Sequence, residues 1–330
     1  TKSPERLVEQ IEKSNFTWLA GNLDFAQCDG LKPLSSAANI MPHTSVTLGG
    51  IRFGVFGITI SQGETSSLIT DRAPGATRDQ AAYIAAAKRL TQTLRADNDF
   101  VIALTHLDWK EDVAILNALE GTDGPDLIIG GHNHTIGMQR AEKNKIRAVY
   151  KQTAEARDVG IFEFSKAADG TVSYTQKSVN LDQTVDRDEA AQARISKWYS
   201  DHEKTFCAKD TTSTEHCLDD PMGTTQMAWT LEEDNNRSEE TEIGNWFADK
   251  VLALAAPFTG GHCKSTAGHT PTKVAFIGSG SLRLNYSLDA NYALTRRDIE
   301  ELFPYPMELV KICITGKILK EQLTNGLSLA

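Results

Sequence analysis

The chain has 330 residues, 40% of them hydrophobic and 24% charged, which is typical of a globular protein long enough to form two hydrophobic cores. Its formal net charge of -10 argues against a general surface for nucleic-acid polymers, because such surfaces are usually basic. No apolar run reaches the length of a membrane span, and no signal peptide is visible.

Over the first half of the chain, apolar runs alternate with helical patterns, the rhythm of a βαβ sheet. The sequence predicts strands near residues 51–60, 99–105 and 126–130, with helices at 78–96 and 110–119. Further strands are predicted at 146–152, 159–164 and 172–179. We expect these three to pair antiparallel in a second sheet, which gives a two-sheet sandwich. An amphipathic helix over 188–206 and a polar, Thr-rich stretch at 209–225 follow.

Two of these strands end in histidines. The apolar run from Phe100 ends at His106, and the run Leu127–Gly130 leads through Gly131 to His132 and His134. Ligand sites in α/β sheets lie beyond the carboxyl ends of the strands. Glycines can adopt backbone angles closed to other residues, and histidines two apart in an extended loop can address two different ions. The pattern predicts a metal site.

These residues also resemble a known family. Ala103-Leu-Thr-His106 and Ile129-Gly-Gly-His-Asn-His134 resemble the last two metal motifs of calcineurin-like metallophosphoesterases, specifically of the 5′-nucleotidase family. The resemblance implies two divalent metal ions, Zn, Mn or similar. His106 and His132 would bind one ion and His134 the other.

The family's upstream motifs, which supply a carboxylate to bridge ions about 4 Å apart, do not occur in this sequence. Gly21-Asn-Leu-Asp24 is similar to one of them, but Leu23 stands where a histidine is expected, so we interpret Asn22 as the end of a structural strand. The acidic residues nearby are assigned to helix and strand starts: Asp108, Glu111, Asp112 and Asp126. No catalytic residue is assigned, and we expect the catalytic residues to lie upstream of Thr1.

A second resemblance covers the last third of the chain. Arg237-Ser-Glu-Glu-Thr-Glu-Ile-Gly-Asn-Trp246, a predicted strand from Val274 that ends in Gly278-Ser-Gly-Ser-Leu-Arg283, and Leu302-Phe-Pro-Tyr-Pro306 are similar to the 5′-nucleotidase C-terminal domain. In the family this domain binds the nucleoside half of the substrate.

The resemblance implies that five residues contact substrate: Arg283, Tyr305, Arg237, Ser279 and Gly280. Backbone amides and a guanidinium suit a phosphate or carboxylate, and a tyrosine can stack on a base. Alternatively, Tyr305 caps a turn and Arg283 pairs with an acidic neighbour. The family has an asparagine at the position of Gly278, which leaves the nucleobase contact open.

The cysteines show no C-x-x-C pair, so a zinc ribbon or a thioredoxin-type motif is unsupported. Cys207 and Cys217 flank a polar segment and could close a small disulfide ring in an oxidising compartment. Cys313 lies in an apolar run and is interpreted as a buried strand residue.

We therefore predict an α/β protein with three parts. Residues 1–185 form the C-terminal portion of a metallophosphoesterase two-sheet sandwich, 186–225 a linker helix and polar loop, and 226–330 a truncated 5′-nucleotidase C-terminal substrate-binding domain. The chain is expected to be a fragment of a longer periplasmic or extracellular protein, and inactive by itself.

The resemblance implies that the whole enzyme hydrolyses nucleotides or related phosphoesters by two-metal activation of water. Its partner is a small-molecule substrate, with no nucleic-acid polymer and no membrane span. Two alternatives remain. One is a non-catalytic binding protein on the same scaffold, and the other is a hydrolase of nucleotide sugars, cyclic nucleotides or sulfur esters.

Overall fold

The computed structural model describes residues 4–61, 67–71, 79–208, 217–257, 264–265, 268–269, 272–284, 286–305 and 308–328. The chain forms two compact units, Thr1–Asp186 and Arg187–Ala330. In the described residues, no helix is both long enough and apolar enough to cross a bilayer.

The first unit is built on a six-stranded sheet in the order β3-β4-β5-β6-β8-β7. Its strands are β3 (His43–Leu48), β4 (Ile51–Thr59), β5 (Phe100–His106), β6 (Leu127–Gly130), β7 (Gly137–Arg140) and β8 (Ala148–Lys151). The four central strands are parallel, and the two edge strands are antiparallel to their neighbours. The parallel register places Thr59 beside His106, Thr105 beside Gly130, and Gly130 beside Lys151, so the strands end at one edge.

Helices α2 (Gln80–Arg95) and α3 (Trp109–Ala118) connect β4 to β5 and β5 to β6, which confirms the predicted βαβ rhythm. The cores on the two faces of the sheet differ. Apolar side chains of α2 and α3 pack on one face, with Phe56, Leu90, Ile115 and Ile128 among the buried residues. Within the described residues, this unit also contains α1 (Pro4–Lys13), β1 (Trp18–Leu19), β2 (Ile40–Met41) and 3-10 segments at Phe25–Gln27, Asp29–Ser36 and Gly121–Asp123.

The other face of the sheet packs against an antiparallel pair, β9 (Asp158–Lys166) and β10 (Val172–Asn180), through an aromatic cluster of Phe53, Phe100, Phe162, Phe164 and Tyr174. The predicted second sheet is therefore present, but residues 146–152 do not belong to it. Instead, β8 lies within the main sheet, parallel to β6. All four of its residues are buried, as in a strand covered on both faces, whereas burial alternates along β9.

The second unit contains helices α4 (Glu189–Ala208), α5 (Glu233–Ser238), α6 (Glu242–Ala255), α7 (Arg296–Leu302) and α8 (Gly316–Ser328). Strand β11 (Pro221–Thr224), within the stretch predicted as a polar loop, pairs antiparallel with β14 (Ala293–Thr295). Two short strands, β12 (Lys264–Ser265) and β13 (Gly268–His269), also pair. The core contains Trp229, Leu231, Ile243, Leu282, Leu284, Leu288, Leu294 and Leu302. Residues 209–216 of the predicted loop lie outside the described residues.

Two predictions for this unit were wrong. Residues 272–278 form no strand, and Ser279–Ser281 instead form a 3-10 turn, because Val274 and Phe276 are exposed and pair with no neighbouring strand among the described residues. Cys313 is not a buried strand residue either. Cys313 is exposed in an irregular segment and is disulfide-bonded. Cys217 is also disulfide-bonded.

Candidate metal centre and substrate-binding residues

The structure brings His106 and His132 together at the carboxyl edge of the main sheet. His106 is the last residue of β5, and His132 lies two residues beyond the end of β6. His106 Nε2 is 3.2 Å from His132 Nδ1, and the two rings meet at 71°. This convergence follows from the parallel register, which aligns the two strand ends.

A carboxylate orients His132 from its other side. Asp108 Oδ1 lies 3.4 Å from His132 Nε2, and the backbone N–H of Asp108 donates to Glu111 Oε2 at the start of α3. A carboxylate at Nε2 favours the tautomer with its proton there, leaving the Nδ1 lone pair directed toward His106. The sequence had given Asp108 only a helix-capping role. The available signal for a contact with the histidines was its position only two residues after His106.

The electrostatic environment favours neutral imidazole at His106. Burial lowers the pKa of His106, and coulombic interactions with His132, Lys151 and His134 lower it further. Neutral imidazole is the form that binds a metal ion, because the ligating nitrogen must carry a free lone pair.

The spacing of the pair fits a single cation. Two nitrogen ligands of a tetrahedral ion, each with a bond of about 2.0–2.1 Å, lie about 3.3 Å apart, close to the separation observed here. Among the residues that the structure describes, no three His, Cys, Asp or Glu side chains form a group that could hold a metal. The pair therefore offers two ligands. His134 follows in the same loop, and its assignment to a second ion stays a prediction.

In the loop after β6, the histidines have the unusual backbone angles that the sequence predicted for the glycines. The residues with positive φ are His132 (75°) and His134 (58°), whereas Gly130 and Gly131 do not have this conformation. Gly130 instead provides space, because a Cβ there would lie only 2.7 Å from Asp112 Oδ2. At Gly131 the nearest atom, His106 Nδ1, would be 3.5 Å away.

The space beside Gly130 is filled by a buried ion pair that the sequence analysis missed. Asp112 lies in the first turn of α3, as predicted, but it is also fully buried, and its Oδ2 lies 2.9 Å from Lys151 Nζ. Burial raises the pKa of Asp112, and Lys151 opposes that rise. The available signal was a lysine closing the apolar run Ala148-Val-Tyr-Lys151.

Asn22 does not end a strand, because β1 ends at Leu19 and Asn22 lies in the turn that follows, but its side chain is bonded to the main sheet. Its buried amide donates through Nδ2 to Thr59 O at 2.8 Å, and Oδ1 accepts from Thr59 N at 3.0 Å. Both polar atoms of the side chain are thus bonded to the end of β4. Asp126 likewise accepts from Arg95 and from Val101 N, away from the histidines.

In the second unit, the predicted substrate residues form two adjacent contacts. The guanidinium of Arg283 lies 5.4 Å from the ring centre of Tyr305, and Arg283 Nε is buried with no hydrogen-bond partner among the described residues. Arg237 pairs with Glu233 and borders the turn Ser279–Ser281, since a Cβ on Gly280 would be 3.5 Å from Arg237 Nη2. Tyr305 is 57% exposed, so its ring is accessible for stacking.

Comparison with known proteins matches residues 221–329 to the model of the 5′-nucleotidase C-terminal domain. The trifunctional nucleotide phosphoesterase protein YfkN of Bacillus subtilis is 23% identical over 298 residues, which cover 88% of this chain and 18% of that protein. A 5′-nucleotidase-related protein of Glossina morsitans morsitans is 24% identical over 268 residues, covering 75% of this chain and 44% of that protein. The chain thus spans less than half the length of each relative.

Two solved structures share the fold. A protein of Staphylococcus aureus assigned as a 5′-nucleotidase, solved with alpha-ketoglutarate, matches with a TM-score of 0.51 and 15% identity over 91% of this chain and 53% of its own. The sulfate thiohydrolase SoxB of Thermus thermophilus, solved with glycerol, matches with a TM-score of 0.55 and 15% identity over 92% of this chain and 48% of its own.

The fold is therefore that of the two-domain 5′-nucleotidase and metallophosphoesterase proteins, which confirms the predicted fold class. The resemblance that the motifs indicated is confirmed for the C-terminal part of the chain, where residues 221–329 match the 5′-nucleotidase C-terminal domain.

Proposed function

We propose that this chain is part of a metal-dependent hydrolase that acts on nucleotides or related phosphoesters. The observation that carries the proposal is the pair of ring nitrogens, His106 Nε2 and His132 Nδ1, which converge 3.2 Å apart at the carboxyl edge of the sheet. The nucleotide phosphoesterase activity named for the Bacillus subtilis relative supports the choice of reaction.

The residues take distinct roles in this proposal. His106 and His132 hold one divalent ion, and His134 contributes to a second. Two divalent ions, Zn, Mn or similar, would supply activation of a water molecule and stabilisation of charge on the phosphoryl oxygens when bound. Asp108, through its contact with Nε2, would keep His132 Nδ1 directed toward His106, ready to hold the ion.

For the second unit we propose a nucleotide-binding role of its own. Arg283, Arg237 and the backbone amides of Ser279 and Gly280 offer donors to phosphate or other anionic groups. Tyr305 stacks on the base. The contact between Arg283 and Tyr305 supports this assignment, because it places a cation next to an exposed ring.

We further propose a periplasmic or extracellular location. Disulfides at Cys217 and Cys313 support it, because stable disulfides persist mainly in oxidising compartments. Thiol labelling of the denatured, unreduced protein should leave Cys217 and Cys313 unlabelled. Full labelling of both would contradict the location.

The test compares the full-length gene product with the 330-residue chain. Elemental analysis should find divalent metal in the full-length protein, together with phosphate release from a panel of nucleotides, nucleotide sugars and cyclic nucleotides. We expect residues 1–330 alone to bind metal without releasing phosphate, because no bridging carboxylate is assigned within them. A full-length protein that holds no metal and releases no phosphate would overturn the proposal and leave a non-catalytic binding protein.

A further inference from the structure

A buried ammonium group lies close to the histidine pair. Lys151 is the last residue of β8, where it is paired with Gly130, and it is only 1% exposed. Its Nζ donates to Leu107 O, to Gly131 O at 3.0 Å and to Asn133 Oδ1 at 2.9 Å. A protonated lysine has three N–H donors, so these three acceptors use all of them.

The three acceptors lie next to the histidines in the sequence. Leu107 follows His106, and Gly131 and Asn133 flank His132. Asn133 Oδ1 also accepts from Trp109 N at 2.7 Å. Lys151 therefore joins the segment after β5 to the segment after β6, the two segments that must stay in register for the imidazole nitrogens to converge.

Burial of the ion pair between Lys151 and Asp112 costs free energy, so its presence points to a role other than stabilising the fold. Burying an ammonium group and a carboxylate costs several kcal/mol per ion unless the two are paired and hydrogen-bonded, and apolar residues of similar size are often as stable. Asp112 balances the charge of Lys151 at 2.9 Å. His132 moreover has a positive φ of 75°, a conformation that needs external support in a residue with a Cβ.

We infer that Lys151, charge-balanced by Asp112, is a positioning residue that holds His106 and His132 at the separation needed to share one divalent cation. The metal role of the histidines is that of the proposed function, on which this inference rests. The positioning role concerns the loop itself and can be measured without metal.

The decisive variant is the double replacement Lys151→Met with Asp112→Leu, which removes both charges and leaves neither partner buried alone. Arg147→Met is the matched control. Arg147 is a buried cation just before the other end of β8, where it donates to Pro125 O at 3.0 Å and to Leu119 O, away from the histidines.

The metal-free readout is the nuclear Overhauser effect between the ring protons of His106 and His132. The second readout is the affinity for Zn²⁺ alone, measured by calorimetry on the full 330-residue chain at a temperature where circular dichroism shows each variant folded. We expect the double variant to lose the ring contact and to bind Zn²⁺ at least about tenfold more weakly. Arg147→Met should lower the thermal midpoint but leave both readouts unchanged.

The outcomes separate the two proposals. A double variant that keeps the ring contact overturns the positioning role, as does an equal loss of contact in Arg147→Met. If the unmodified chain binds no Zn²⁺ but the double variant still loses the ring contact, the metal function fails and the positioning role stands. If the double variant does not fold, Asn133→Ala decides instead. It removes one acceptor of Lys151 and leaves the ion pair, so it should weaken the ring contact.

Discussion

His106 Nε2 and His132 Nδ1 lie 3.2 Å apart although the two residues are 26 positions apart in the chain. The contact depends on two features of the first unit: parallel strands that end at one edge, and a loop whose backbone turns back at His132. Perturbing either feature should change metal binding more than it changes the fold.

His132→Asn tests the ligand role directly. Asparagine tolerates positive φ better than most residues, so the loop should keep its backbone while losing the imidazole. We expect Zn²⁺ affinity to fall by at least about tenfold, with a thermal midpoint close to that of the parent chain. His43→Ala, on edge strand β3, is the control and should bind Zn²⁺ as the unmodified chain does. Equal affinities for His132→Asn and the unmodified chain would exclude His132 as a ligand.

Gly130→Ala and Gly131→Ala form a matched pair that separates the two adjacent glycines. At Gly130 a Cβ would lie 2.7 Å from Asp112 Oδ2 and 2.9 Å from Lys151 Cε, so Gly130→Ala should destabilise the chain by about 1–3 kcal/mol. At Gly131 the nearest contact would be 3.5 Å, so the same change should stay within about 0.5 kcal/mol. Urea denaturation measures both, and similar losses would show that the ion pair does not restrict Gly130.

The elements around the site were predictable from sequence because they depend on local patterns. The apolar runs of β4, β5 and β6 and the helical spacing of α2 and α3 gave their positions to within two residues. The convergence of His106 and His132 followed from one further rule, that parallel strands carry their sites at the carboxyl ends. The interpretation of Asn22 as the end of a strand was wrong, because β1 ends at Leu19, although its amide does bond to the backbone of β4.

The support beneath the histidines was not predictable, because it depends on the order of strands in the sheet. Lys151 reaches Leu107 and Gly131 only because β8 lies beside β6, whereas the sequence suggested that this strand belonged to the second sheet. No local pattern specifies which strand is the neighbour of β6. The role of Asp112 was missed for the same reason, since its partner comes from that strand.

Acid stability should depend in part on Asp71 and Arg89. The hydrogen bond from Arg89 holds the pKa of Asp71 below its usual range. A carboxylate with a depressed folded-state pKa stabilises the fold above its unfolded pKa of about 3.9, and that contribution disappears as the pH falls through the folded value. Asp71→Asn should therefore lower the thermal midpoint at pH 7 and match the unmodified chain in strong acid.

Because the pair is partly exposed to solvent, we expect a difference below about 1 kcal/mol, reduced further by salt. Asparagine also suits the positive φ of Asp71, so the backbone should not change. Asp97→Asn removes the same charge from an exposed position and serves as the control. A midpoint difference for Asp71→Asn that persists unchanged at the lowest pH would contradict the assignment.

Tyr305 should contribute to nucleoside binding through its exposed ring beside Arg283. Stacking of a base on an aromatic side chain is worth about 1–3 kcal/mol, so Tyr305→Ala should weaken adenosine binding about tenfold or more, while Tyr305→Phe keeps it. The matched control is Tyr199→Ala, which removes a tyrosine that also packs under an arginine, Arg297, with 4.6 Å from guanidinium to ring centre. Equilibrium dialysis with adenosine measures all three variants. If Tyr199→Ala and Tyr305→Ala weaken binding equally, the loss reflects general destabilisation, and Tyr305 caps a turn instead of holding a base.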